Sequence, residues 1–139
     1  LYPTDLSSII MMETGGMKGR RDEMTRDEVH TVLKDSFNLN LIHSEYGMTE
    51  LSSQAYSSGN GVFETPPWMK VRLREMNDPL SSVSFRKSGA IDVIDLANVD
   101  SCAFIATQDL GRRVGKNRIE VLGRIDNSDI RGCNLLVLE

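Results

Sequence analysis

The stretch LNLIHSEYGMTE, residues 39–50, decides how this chain is read. Residues 39–44, with Leu39, Leu41 and Ile42, form a short run that reads as a strand. Tyr46, Gly47, Thr49 and Glu50 then follow within five positions. A tyrosine offers an aromatic face, and a glycine lets backbone approach a ligand closely. A threonine hydroxyl can donate to a phosphate oxygen, and a glutamate carboxylate suits a hard Mg²⁺ ion. An ordinary strand-to-loop junction accounts for the same residues.

Upstream, Met24-Thr25-Arg26-Asp27-Glu28 carries a capping box, with two acids where a helix dipole favours them. Val29, Val32, Leu33 and Phe37 follow at helical spacing, which predicts a helix to about Asn38. Before it, residues 8–13 read as a buried strand stopped by Thr14-Gly15-Gly16. Strand, helix and strand make an α/β unit that delivers Tyr46 at a C-terminal strand end, where open α/β sheets bind ligands.

After Glu50 the character changes. Residues 52–65 are polar and Gly-rich, a predicted loop closed by Pro66-Pro67. Runs at 69–74, 90–96, 103–107, 118–122 and 134–138 read as strands, with turns at 77–79 and 87–89. The expected fold class is therefore α/β (α+β): a short strand-helix-strand unit, then a mostly β subdomain forming a curved sheet or partial barrel. The expected division is an α/β portion at 1–51, a β-rich subdomain at 52–123, and a hinge and C-terminal segment at 124–139.

The length of 139 residues suits one domain-sized unit with a real core. A net charge of −4 argues against nucleic acid as a partner. No apolar run is long enough for a membrane span, and no signal-peptide pattern opens the chain. Two cysteines without metal-ligand spacing point to a reducing, cytoplasmic setting. The chain starts at Leu1 and enters a strand almost at once, so it reads as a piece of a longer protein.

Two later stretches carry further chemistry. Ala106-Thr107-Gln108-Asp109-Leu110-Gly111 holds an aspartate whose two oxygens suit a pair of hydroxyls, or which caps a hairpin turn. Arg118-Ile119-Glu120-Val121-Leu122-Gly123-Arg124-Ile125-Asp126 ends in a Gly-Arg and an aspartate. With these in place, Tyr46 to Glu50 resembles the YGxTE motif of the adenylate-forming superfamily of acyl-CoA synthetases, adenylation domains and firefly-type luciferases. Residues 106–111 resemble its TGD segment, with Gln108 in place of the usual glycine. Residues 118–126 resemble its GRxD segment, in the family's order.

The resemblance implies an ATP- and Mg²⁺-dependent enzyme that joins a carboxylate to AMP. It implies that Tyr46, Gly47, Thr49, Asp109 and Arg124 bind nucleotide, and that Glu50 serves catalysis through the metal. Asp126 becomes the hinge of a small C-terminal domain. Gly15 and Gly16, in Glu13-Thr14-Gly15-Gly16-Met17-Lys18-Gly19-Arg20, match a loop beside the adenine and acyl group, or form a plain turn.

ETGGMKGR, HSEYGMTE and IDNSDIRGCNLL together most resemble the acyl-protein synthetase branch, the long-chain fatty acid–luciferin-component ligases, over its C-terminal part. In that branch the acyl group passes to a cysteine, which Cys133 matches here; a small buried hydrophobe is the other reading of Cys133. Cys102 is expected in the core, Trp68 in packing and His30 in a solvated or half-buried structural role. His43 lines the pocket or is a satisfied strand-end histidine.

The branch implies a fatty acid substrate and an acyl-reductase or thiol acceptor as partner, and leaves oligomeric state open. The phosphate-binding loop and the mobile-domain lysine of the superfamily have no counterpart here. Ser57-Ser58-Gly59-Asn60-Gly61 lies on the wrong side of Tyr46 and has no following lysine. This chain alone is therefore expected not to complete the reaction. An aryl- or acyl-CoA ligase of the phenylacetate type, and a non-catalytic binding module that keeps the fold, are the alternatives.

Overall fold

A computed structural model describes residues 4–15 and 24–125. The first strand, β1, spans Met11–Glu13, and the helix α1 spans Arg26–Phe37. Both bonds of the capping box are present: the Thr25 hydroxyl accepts from the Glu28 N–H, and the Glu28 carboxylate accepts from the Thr25 N–H at 2.7 Å. Asn38 ends the helix in the left-handed conformation, as an asparagine can. Strand β2, Ile42–Tyr46, then runs parallel to β1, so strand, helix and strand form the expected crossover unit.

Six more strands follow: β3 Ala55–Ser57, β4 Val62–Glu64, β5 Met69–Arg74, β6 Ser88–Asp95, β7 Phe104–Arg113 and β8 Arg118–Arg124. They join β1 and β2 in one open eight-stranded sheet of order β1-β2-β3-β4-β8-β7-β6-β5, antiparallel except at its first pair. Met69, Val71 and Leu73 of β5 point inward while Lys70 and Arg72 face out, the two-residue period of a half-buried strand. They meet Ile91 and Val93 of β6, Ile119 of β8 and Phe63 of β4 in the core.

Several expectations change. The stretch 52–65 is not one loop, because it contains β3 and β4. Its inward side chains include Ser57, buried but not apolar, so hydrophobic periodicity gave no signal there. The first strand is shorter than 8–13, with Ile9 and Ile10 exposed ahead of it. Ser88 and Gly89 belong to β6 and not to a turn; a Cβ on Gly89 would lie 2.7 Å from the Arg74 carbonyl oxygen. Leu96 leaves β6 for a short 3₁₀ turn, Leu96–Asn98, which Asp95 caps.

Candidate functional site

Asp109 does not cap a hairpin turn; it lies inside β7, on an irregularity. Ala90 pairs with Leu110 and Asp92 with Ala106, so three residues, Thr107 to Asp109, face Ile91 alone. Such a bulge frees backbone groups from the ladder and re-aims side chains. The buried Thr107 hydroxyl donates to the Ile91 carbonyl at 2.9 Å and accepts from the Asp109 N–H at 3.1 Å. The Arg74 guanidinium donates to the carbonyls of Thr107 at 2.9 Å and Ile91 at 3.3 Å, and pairs with Asp92.

A second irregularity completes the geometry. Leu110 faces Gly123 and Gly111 faces Val121, so Leu122 is an extra residue in β8. Gly123 takes φ +143°, which a side chain disfavours, and the next residue, Arg124, stands directly opposite Asp109. Two bulges on adjacent strands thus turn an acid and a guanidinium toward each other.

Tyr46, at the end of β2, reaches the same point. Its hydroxyl donates to Asp109 Oδ2 at 2.9 Å, while Arg124 Nε lies 3.8 Å from Asp109 Oδ1. The ring leans edge-on against buried Phe63, with centroids 6.0 Å apart. The three side chains singled out in separate motifs therefore meet. Asp109 Oδ1 lies beyond hydrogen-bonding distance of Arg124, and Oδ2 keeps a second acceptor direction beside the tyrosine. The carboxylate can accept two further hydroxyls.

Burial, then the neighbouring Asp109 charge and its hydrogen bond, push the Tyr46 phenol well above the ordinary tyrosine range. A raised folded value means that this group adds stability in full below the unfolded value of about 10, lost as pH rises toward the folded one. In an alkaline absorbance titration Tyr46 should ionise last, and Tyr46→Phe should remove that late component. A late component that survives the substitution would show that Tyr46 is not its source.

The other expected site residues are distributed around this point. Gly47 and Thr49 are exposed on the connection after β2, and a Cβ on Gly47 would lie 3.0 Å from Gln54 Cγ. Glu50 is exposed, and its carbonyl accepts from Asn98 at 2.7 Å. Among the described residues no three His, Cys, Asp or Glu side chains gather to hold a metal ion, and Glu50 would offer Mg²⁺ one carboxylate. Gly15 has φ +124° at the end of β1, and its N–H donates to Glu13 at 3.0 Å. Gly16, Asp126 and Cys133 lie outside the described residues.

His30 is buried, not solvated, with Nε2 3.2 Å from the Ser44 hydroxyl and 3.7 Å from Glu13. Cys102 is exposed and not in the core, because it precedes β7 in the turn that follows the 3₁₀ segment. Trp68 is half exposed, and its indole N–H donates to Ser53 Oγ at 2.9 Å.

His43 points away from the triad. Along β2, Ser44 and Tyr46 share one face and His43 the other. On that other side His43, Gln54, Tyr56, Trp68 and Arg118 line an open cleft of about 610 Å³. The cleft and the triad are separate features.

Neither a family model nor a curated protein matches the sequence. Solved structures do. ATP-bound MatB from Rhodopseudomonas palustris matches at 15% identity and TM-score 0.57, over 83% of this chain and 25% of its own. Coronafacic acid ligase from Pectobacterium brasiliense matches at 19% and 0.58, over 88% and 25%. The McyG A-PCP structure complexed with phenylalanyl-adenylate matches at 17% and 0.56, over 87% and 26%. The likeness shows the fold, and this chain spans about a quarter of the length of these proteins. No helix among the described residues is long and apolar enough to cross a membrane.

Proposed function

We propose that the chain is the C-terminal portion of an ATP-dependent acyl-protein synthetase and holds the nucleoside half of its site. The observation that carries this reading is the meeting of Tyr46, Asp109 and Arg124 from three separate strands. In it, Asp109 accepts both ribose hydroxyls, Tyr46 flanks the adenine beside Gly47, Gly15 and Gly16, and Arg124 supplies positive charge. Thr49 donates to a phosphate oxygen, and Glu50 holds Mg²⁺, which neutralises phosphate charge. The carboxylate oxygen of a fatty acid attacks the α-phosphorus and pyrophosphate leaves; positioning and charge neutralisation lower that barrier. The Cys133 thiolate then attacks the acyl carbonyl, forming a thioester and releasing AMP.

Residues 1–51 and 52–123 frame the nucleoside in this reading, and 124–139, with Asp126 as hinge, carry the acceptor. The setting is cytoplasmic, with an acyl-reductase or another thiol acceptor downstream. Calorimetry of this chain with AMP and ATP tests the nucleoside half: binding of both is expected, and silence for both favours a non-catalytic module of the same fold. In the full enzyme, Cys133→Ser should abolish the protein thioester while leaving adenylate formation intact. Unaffected formation of acyl-CoA in that variant would select the coenzyme A ligase of phenylacetate type instead.

A further inference from the structure

The connection from Tyr46 to β3 is fastened to a distant part of the chain by an acid that the proposed chemistry does not use. Asp95 is fully buried at the end of β6. It accepts from the N–H groups of Ser52 at 3.0 Å, Ser53 at 2.9 Å and Ala97 at 3.1 Å, and from the Ser53 hydroxyl at 2.7 Å. Ser53 Oγ in turn accepts from Trp68. Three residues on, the Asn98 amide donates to the carbonyls of Glu50 at 2.7 Å and Cys102 at 2.8 Å, and its oxygen accepts from the Ser52 hydroxyl at 3.2 Å.

A buried carboxylate costs several kcal/mol in lost hydration, and a well-packed apolar residue there would be cheaper. What the carboxylate supplies is direction, since several donors must converge on two oxygens. Burial alone would raise its pKa, but the Ser53 hydroxyl and the backbone N–H groups outweigh that and hold it below the ordinary aspartate range. The anion is therefore present at neutral pH. Its donors Ser52 and Ser53 lie two and three residues after Glu50, so fixing them fixes the exit of the segment that begins at Tyr46.

We infer that Asp95, acting with Asn98, is a positioning residue that sets the conformation of the Tyr46–Glu50 segment and so its fit to adenosine. The nucleotide part of this inference rests on the function proposed above; the clasp itself does not.

The test uses this chain with Asp95→Asn, with the milder Ser53→Ala, and with Asp78→Asn as a control. Asp78 caps a turn through the Leu80 N–H at 3.1 Å and the Ser81 hydroxyl at 2.6 Å, apart from the segment. Asp95→Asn should speed amide exchange at Leu51, whose N–H donates to the Met48 carbonyl, and at Ser52 and Ser53 by about tenfold or more, and weaken AMP binding about tenfold. Ser53→Ala should do the same to a smaller degree and shift the emission of Trp68, the sole tryptophan. If Asp95→Asn fails to fold, Ser53→Ala decides.

Wild-type exchange at Leu51 in the folded variants would overturn the inference, as would AMP affinity no weaker than in the control. Should the wild-type chain bind no AMP, the adenosine reading fails, and the exchange rates alone decide the clasp.

Discussion

Asp109→Ala should weaken AMP binding to this chain by about 2 kcal/mol, roughly thirtyfold, because two charge-assisted bonds to the ribose are lost. The carboxylate already accepts from Tyr46 on one oxygen and faces Arg124 across 3.8 Å on the other, so it stands pre-oriented for a diol. The Arg124 pair itself contributes little, since that side chain is mostly exposed and screened. Loss of the variant's affinity therefore reports on the ligand more than on the fold. Asp109→Asn discriminates further. It keeps one acceptor oxygen and turns the other into a donor, so an intermediate affinity is expected. Calorimetry that finds Asp109→Ala equal to wild type removes the ribose role.

Which side chains meet here is legible in the sequence. Tyr46, Asp109 and Arg124 were singled out from three motifs in a familiar order, and the sheet brings them together. The means of bringing them together were not legible. Thr107-Gln108-Asp109 carries no local mark of a bulge, because the groups that stabilise it, the Thr107 hydroxyl and Arg74, act across strands. The helix is legible nearly to the residue because its signals are local: a capping box and apolar residues at helical spacing. β3 leaves no apolar pattern because its inward positions include a serine. Asp95 did leave a signal. Ile91, Val93 and Asp95 alternate inward along β6, so an acid stands where the pattern calls for an apolar side chain, a sign of a dedicated set of donors.

Arg74→Ala should destabilise the chain by about 2 kcal/mol and weaken nucleotide binding as well, though Arg74 does not belong to the triad. The guanidinium is mostly buried and serves three acceptors at once: the carbonyls of Ile91 and Thr107, and the Asp92 carboxylate. Truncation leaves the two carbonyls without that donor and an acid without its cation, each a costly loss where water enters poorly. Asp92 keeps some solvent contact, which holds the cost below that of a fully buried pair. Arg74→Lys should recover only part of the loss, because one ammonium cannot reproduce a fork aimed at three oxygens. The consequence for the site follows from the bulge. Once Thr107 to Asp109 loosen, the Tyr46–Asp109 bond lengthens, and the phenol should ionise at a lower pH than in the wild type. Urea unfolding and the alkaline titration of Tyr46 should therefore move together in Arg74→Ala. A stability loss with the Tyr46 titration unchanged would mean that Arg74 holds the sheet but does not aim Asp109.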